Sequence, residues 1–82
     1  MAKSWLYKYG DDIIQVVNKN FDGSELYVND TLCDKNTGVS IRDRLVANLK
    51  GGEVVSATLE GTLTMKCFLT IDGTPQEPIE VK

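Results

Sequence analysis

No histidine occurs in this 82-residue chain. That absence removes the side chain most used for proton transfer near neutral pH, and with it every Ser-His or Cys-His nucleophile and every imidazole metal site. Cysteine is scarce as well. Cys33 and Cys67 lie far apart with no CxxC spacing, so they do not fill a tetrahedral zinc site and are expected as reduced, half-buried thiols. No apolar run approaches the roughly 20 residues that span a bilayer, and the start Met1-Ala2-Lys3-Ser4-Trp5 lacks the apolar core of a secretory signal. A cytoplasmic location without a membrane partner is the expectation. Basic residues are few and scattered: nine against twelve acidic ones, net charge −3, with no cluster that would track a phosphate backbone. Nucleic acid is therefore not an expected partner.

What is present suits a folded domain. Hydrophobic residues make up 41% of the chain and charged residues 26%, close to globular averages. Chains of this length bury only about 60 to 65% of their unfolded surface, so one modest core and a single domain over 1–82 are expected.

Alternation is the clearest pattern. From Gly61 to Ile71, Leu63, Met65, Cys67, Leu69 and Ile71 share one parity, and Thr62, Thr64, Lys66, Phe68 and Thr70 the other. This predicts a long strand with one buried face, stopped at Asp72-Gly73-Thr74-Pro75. Pro75 and Pro78 limit the tail to a short edge strand through Ile79 and Val81. Hairpins are tested by whether a turn sets apolar side chains opposite one another. Gly10-Asp11 pairs Tyr7 with Ile14 and Trp5 with Val16, leaving Lys8 opposite Ile13 and Leu6 opposite Gln15. Asn29-Asp30 pairs Val28 with Thr31, Tyr27 with Leu32 and Leu26 with Cys33. A two-residue turn at Gly51-Gly52 mixes faces, whereas a bulged three-residue loop, Lys50-Gly51-Gly52, sets Ala47 against Val55 and Leu45 against Ala57. Residues Asp34 to Ser40 are expected as a loop, and the strand after it ends near Leu49. No segment shows a 3.6-residue apolar stripe. The fold class is all-β: a small antiparallel sandwich or partly open barrel of about seven strands.

Chemistry-bearing patterns are weak. Asp34-Lys35-Asn36-Thr37-Gly38 begins like a calcium loop, but Val39 stands where the loop's glycine belongs and Leu45 where a bidentate glutamate would close it. Asp11, Asp12, Asp30, Asp34, Asp43, Glu53 and Glu60 could supply a carboxylate pair for glycoside chemistry, yet they fit better as solvated turn residues. Lys50-Gly51-Gly52-Glu53 lacks the spacing of a phosphate loop. No catalytic, cofactor or metal residue is assigned, and no cofactor is expected. Among the aromatics, Phe68 alone falls on an outer parity.

Trp5, the Tyr9-Gly10-Asp11 hairpin, Leu26-Tyr27-Val28-Asn29-Asp30, Leu45-Val46-Ala47 and Phe68-Leu69-Thr70-Ile71-Asp72-Gly73, in that order, resemble the β-sandwich modules of Fas apoptosis inhibitory molecule. This chain departs from the family at Asn29-Asp30, where a glycine turn is usual, and in having no second module. The resemblance implies a non-enzymatic interaction module with no catalytic residues to carry over.

The leading expectation is a non-catalytic protein-interaction or structural module. It would associate with a protein partner or as a homodimer, through an exposed β edge or the second apolar face of the N-terminal hairpin. Leu6, Ile13, Val17 and Phe68 are the candidate contacts, being more apolar surface than one small core requires. The alternative is a small-barrel oligonucleotide or carbohydrate reader with Tyr7, Tyr9, Tyr27 or Phe68 as stacking platforms.

Overall fold

The computed structural model describes residues 2–62 and 64–82. Among them are nine strands: β1 (Lys3–Tyr9), β2 (Asp12–Asn18), β3 (Ser24–Val28), β4 (Thr31–Asn36), β5 (Arg42–Asn48), β6 (Val54–Glu60), β7 (Lys66–Ile71), β8 (Thr74–Gln76) and β9 (Glu80–Val81). A single 3-10 turn, Asn20–Asp22, joins β2 to β3. The chain is all-β and forms two antiparallel sheets, ordered β4-β3-β2-β1-β9 and β5-β6-β7-β8. Each strand lies beside its sequence neighbour, with one passage between sheets after β4 and another after β8.

Register follows from turn chemistry. At Gly10-Asp11 the left-handed φ falls on the glycine (+59°), and the ladder pairs Tyr7 with Ile14 and Trp5 with Val16 as expected. Asn29 and Asp30 both adopt positive φ (50° and 67°), as a primed two-residue turn requires, and pair Val28 with Thr31 and Tyr27 with Leu32. Lys50-Gly51-Gly52 forms the three-residue loop. Leu49 N–H donates to the Glu53 carbonyl at 2.9 Å, and Ala47 meets Val55.

Four expectations are corrected. A bulge between Leu26 and Tyr27 places Asp34, not Cys33, opposite Leu26, so Cys33 is exposed rather than half-buried on an apolar parity. Downstream of the bulge the ladder continues, pairing Glu25 with Lys35 and Ser24 with Asn36. The expected loop from Asp34 is thus strand as far as Asn36. The strand stops before Asp72 as expected, but Asp72 and Gly73, both at positive φ, turn the chain into a further strand that was not expected, and β8 pairs with β7. Pro75 is tolerated because β8 is an edge. Finally, the last long strand begins at Lys66, not Gly61. Gly61 donates its N–H to the Ile41 carbonyl at 3.0 Å and approaches the Thr64 carbonyl more closely than any side chain would allow, turning the chain out of strand geometry.

The core lies between the sheets. Trp5, Tyr7, Ile14, Val16 and Leu26 come from the five-stranded sheet. Leu45, Ala47, Val55, Ala57, Leu59, Leu69 and Ile71 come from the other, with Leu49 at the loop beyond β5. Alternation along β7 is as predicted where it is described: Leu69 and Ile71 are buried, Met65 and Cys67 half-buried against the core, and Thr62, Thr64 and Lys66 exposed. Leu63 lies outside the described residues. Each buried aliphatic contributes on the order of 1.5 to 3 kcal/mol relative to exposure, so the facing rows, not the turns, supply most of the stability.

Candidate functional site

Antiparallel connectivity puts the hairpin turns at one end of the two sheets and the longer connections at the other. The turn end is stitched by side chains. Asn29 Oδ1 accepts the Ile13 N–H at 2.9 Å while Asn29 Nδ2 donates to Asp12 Oδ1 at 2.9 Å, and Asp72 Oδ1 accepts the Val54 N–H at 2.9 Å. Asp11, Asp12, Asp30, Glu53 and Asp72 therefore serve as turn and strand-end residues at that end.

The opposite end is open. Residues 19–23, 37–41, 61–62 and 64–65 come together there around a cleft of about 480 Å³, lined chiefly by Phe21, Val39, Ile41 and Met65 with the polar groups of Asn18 and Ser40. Phe21, Val39 and Ile41 are 80%, 71% and 68% exposed, more than any other large apolar side chain among the described residues. Flanking recesses are lined by Lys66 and Glu60 on one side and by Lys3 and Lys82 on the other. Lys3 is held in place: its Nζ donates to the Met65 carbonyl at 3.2 Å and sits 5.4 Å from the centre of the Trp5 ring.

A buried polar relay supports this end from below. Asn18 Nδ2 donates to Ser24 Oγ at 3.0 Å, Ser24 Oγ donates to Asp43 Oδ2 at 3.4 Å, and Asn18 Oδ1 accepts the Asn20 N–H at 3.2 Å. The relay joins the ends of β2 and β3 to β5 and shapes the turn that carries Phe21. Gly23, at φ +96°, closes that turn so tightly against the Asn36 carbonyl that a Cβ has no room.

The contacts expected from sequence fall on two different sheets. Leu6, Ile13 and Val17 share the outer face of the five-stranded sheet, where the register continues Leu6 through Gln15 to Tyr27 and Leu32, and Val17 to Glu25. Leu6 and Val17 are half-buried and Ile13 is exposed. Phe68, 53% exposed, stands on the outer face of the other sheet opposite Thr58. The four do not form one patch.

Tyr7 is corrected as a stacking platform, because it is 1% exposed and its hydroxyl donates to Cys67 Sγ at 3.4 Å across the core. Burial, then this contact, pushes the Tyr7 phenol well above its ordinary range, and burial pushes the Cys67 thiol up. Both groups are thus kept protonated at neutral pH. On the outer face, Tyr27 Oη donates to Glu25 Oε1 at 2.7 Å and Lys19 Nζ lies 2.9 Å from the same oxygen. The Tyr27 bond and then the Lys19 ammonium hold the Glu25 carboxyl below its usual range.

Sequence reading missed the open end. Phe21 and Val39 sit in segments without periodicity and Ile41 at the start of an expected strand, and only the topology gathers them; the one local signal was apolar residues within or beside polar connections. Among the described residues, no three Cys, Asp or Glu side chains group as metal ligands, and no helix is long and apolar enough to cross a membrane. No family model matches the chain, and no curated protein or solved structure matches it.

Proposed function

We propose that this chain is a non-catalytic protein-interaction module that meets its partner through the open end of the two sheets. One observation carries the reading: the three most exposed large apolar side chains, Phe21, Val39 and Ile41, line the same cleft. Apolar side chains left in water on loops, around a concavity of about 480 Å³ and opposite a stitched end, are the arrangement of a contact surface. The resemblance to the modules of Fas apoptosis inhibitory molecule points to the same class of activity. Site-specific photo-crosslinking in cells producing the chain tests it. A crosslinking side chain at position 21, 39 or 41 should yield discrete protein adducts, and one at position 58 should not. Adducts from position 58 alone, or from none of the four positions, would refute this surface.

A second contact is proposed for the outer face of the five-stranded sheet, where Leu6, Ile13, Val17, Tyr27 and Leu32 lie in neighbouring rows. A two-fold dimer needs only one such self-complementary patch. Sedimentation should show a reversible dimer at high micromolar concentration that Ile13→Asp returns to monomer with the fold intact; a strictly monomeric wild type would overturn it.

A further inference from the structure

The two edges of β1 are held very unequally. One is paired with β2 along all seven residues, from Lys3 opposite Asn18 to Tyr9 opposite Asp12. The other is covered only by the segment from Ile79 to Lys82. There, Ser4 N–H donates to the Lys82 carbonyl at 2.8 Å, Lys82 N–H to the Ser4 carbonyl at 2.9 Å, and Ile79 N–H to the Leu6 carbonyl at 2.7 Å. The covering segment adds nothing to the core: no residue of it belongs to the buried cluster, and Ile79 and Val81 remain 62% and 49% exposed. β1, in contrast, places Trp5 and Tyr7 at the centre of that cluster. Removing the cover therefore leaves β1 fixed by its side chains and by β2, with the backbone groups of Ser4 and Leu6 turned toward an empty edge.

We propose that this edge of β1 is a strand-acceptor site, that Ile79–Lys82 is its exchangeable occupant, and that the site takes the same segment from a second copy of the chain. The resident segment shows what fits: an extended stretch alternating an apolar residue with a charged one, Ile79-Glu80-Val81-Lys82, adding antiparallel to the ladder. Edge addition draws its affinity from main-chain hydrogen bonds, and an identical segment supplies all of them. Exchange between copies then replaces the main-chain bonds of one segment with the same bonds from its twin. This inference does not rest on the open end, although Lys82 also lines a recess beside it.

Two measurements on the full chain test it. In amide hydrogen exchange, the Ser4 N–H, which bonds only to the covering segment, should exchange at least about a hundredfold faster than the N–H groups of β2, which are released by global unfolding. Equal rates would mean that the cover leaves only when the whole domain unfolds, and would overturn the proposal. The second measurement uses Ile79→Pro/Lys82→Pro, which deletes two N–H donors of the cover and touches no core residue. This variant should keep its fold and bind a blocked, fluorescein-labelled peptide of residues 77–82, read by anisotropy, with half-saturation near about 1 mM, as a few backbone bonds allow. Wild type should bind it at least tenfold more weakly, and Ile13→Asp in the variant background should leave capture unchanged. No binding to the folded variant, an unfolded variant, or equal binding of a scrambled peptide would each refute the proposal.

Discussion

Ser24→Ala probes the buried relay beneath the open end. Ser24 and Asn18 are 0% and 4% exposed, so no water replaces what the mutation removes. The hydroxyl accepts from Asn18 Nδ2 at 3.0 Å and donates to Asp43 Oδ2 at 3.4 Å. A hydrogen bond is worth about 1 kcal/mol net, but a buried donor left without an acceptor costs about 1 to 3 kcal/mol, so a loss of about 2 kcal/mol is expected. For a domain of this length about 1 kcal/mol moves the midpoint by about 4 to 8 °C, which gives a drop of about 8 to 16 °C. Trp5, in the core, provides a fluorescence signal for thermal and urea unfolding. Asn18→Val also loses the Asn20 contact. The double variant should lose less than the sum of the two single variants, with a coupling on the order of 1 kcal/mol, because the orphaned amide is gone. Strict additivity, or a Ser24→Ala loss below about 0.5 kcal/mol, would show that the relay is not energetically coupled.

Gly73→Ala, whose added Cβ meets nothing, should cost only the left-handed backbone penalty of about 1 to 2 kcal/mol. Gly23→Ala should cost distinctly more in the same urea titration, because its Cβ meets the Asn36 carbonyl; equal losses would contradict that close approach. Alkali should destabilise the fold. The Cys67 and Tyr7 acids are raised in the folded state, so their neutral forms favour folding fully below the ordinary thiol and phenol values of 9.0 and 10.0, and that contribution is lost as pH climbs through the folded values. Urea midpoints falling from about pH 9 upward, with the fall reduced in Tyr7→Phe/Cys67→Ala, are the expected result. A maleimide should label exposed Cys33 rapidly and half-buried Cys67 slowly in the native protein, with mass spectrometry locating the adduct; equal rates would contradict the two burials.

Local chemistry in the sequence was enough for the all-β class, the alternation of β7, two of the hairpin registers and the first two pairs of a third. Each depends on neighbours within a few residues: a glycine or Asn-Asp pair that accepts positive φ, and side chains that must share a face once the turn is made. Tertiary structure decided the rest. The bulge at Leu26, which turned Cys33 out and extended β4 to Asn36, is compatible with the same local pattern as a straight ladder, and only its fit against β3 selects it. Asp72-Gly73 carries an equally good signal for stopping a chain or reversing it; the free edge of β7 makes it a reversal. The separation of Phe68 from Leu6, Ile13 and Val17, and the gathering of Phe21, Val39 and Ile41 at one end, follow from how two sheets stack. Parity says which side chains leave the core, but not which sheet, or which end, they share once they have left it.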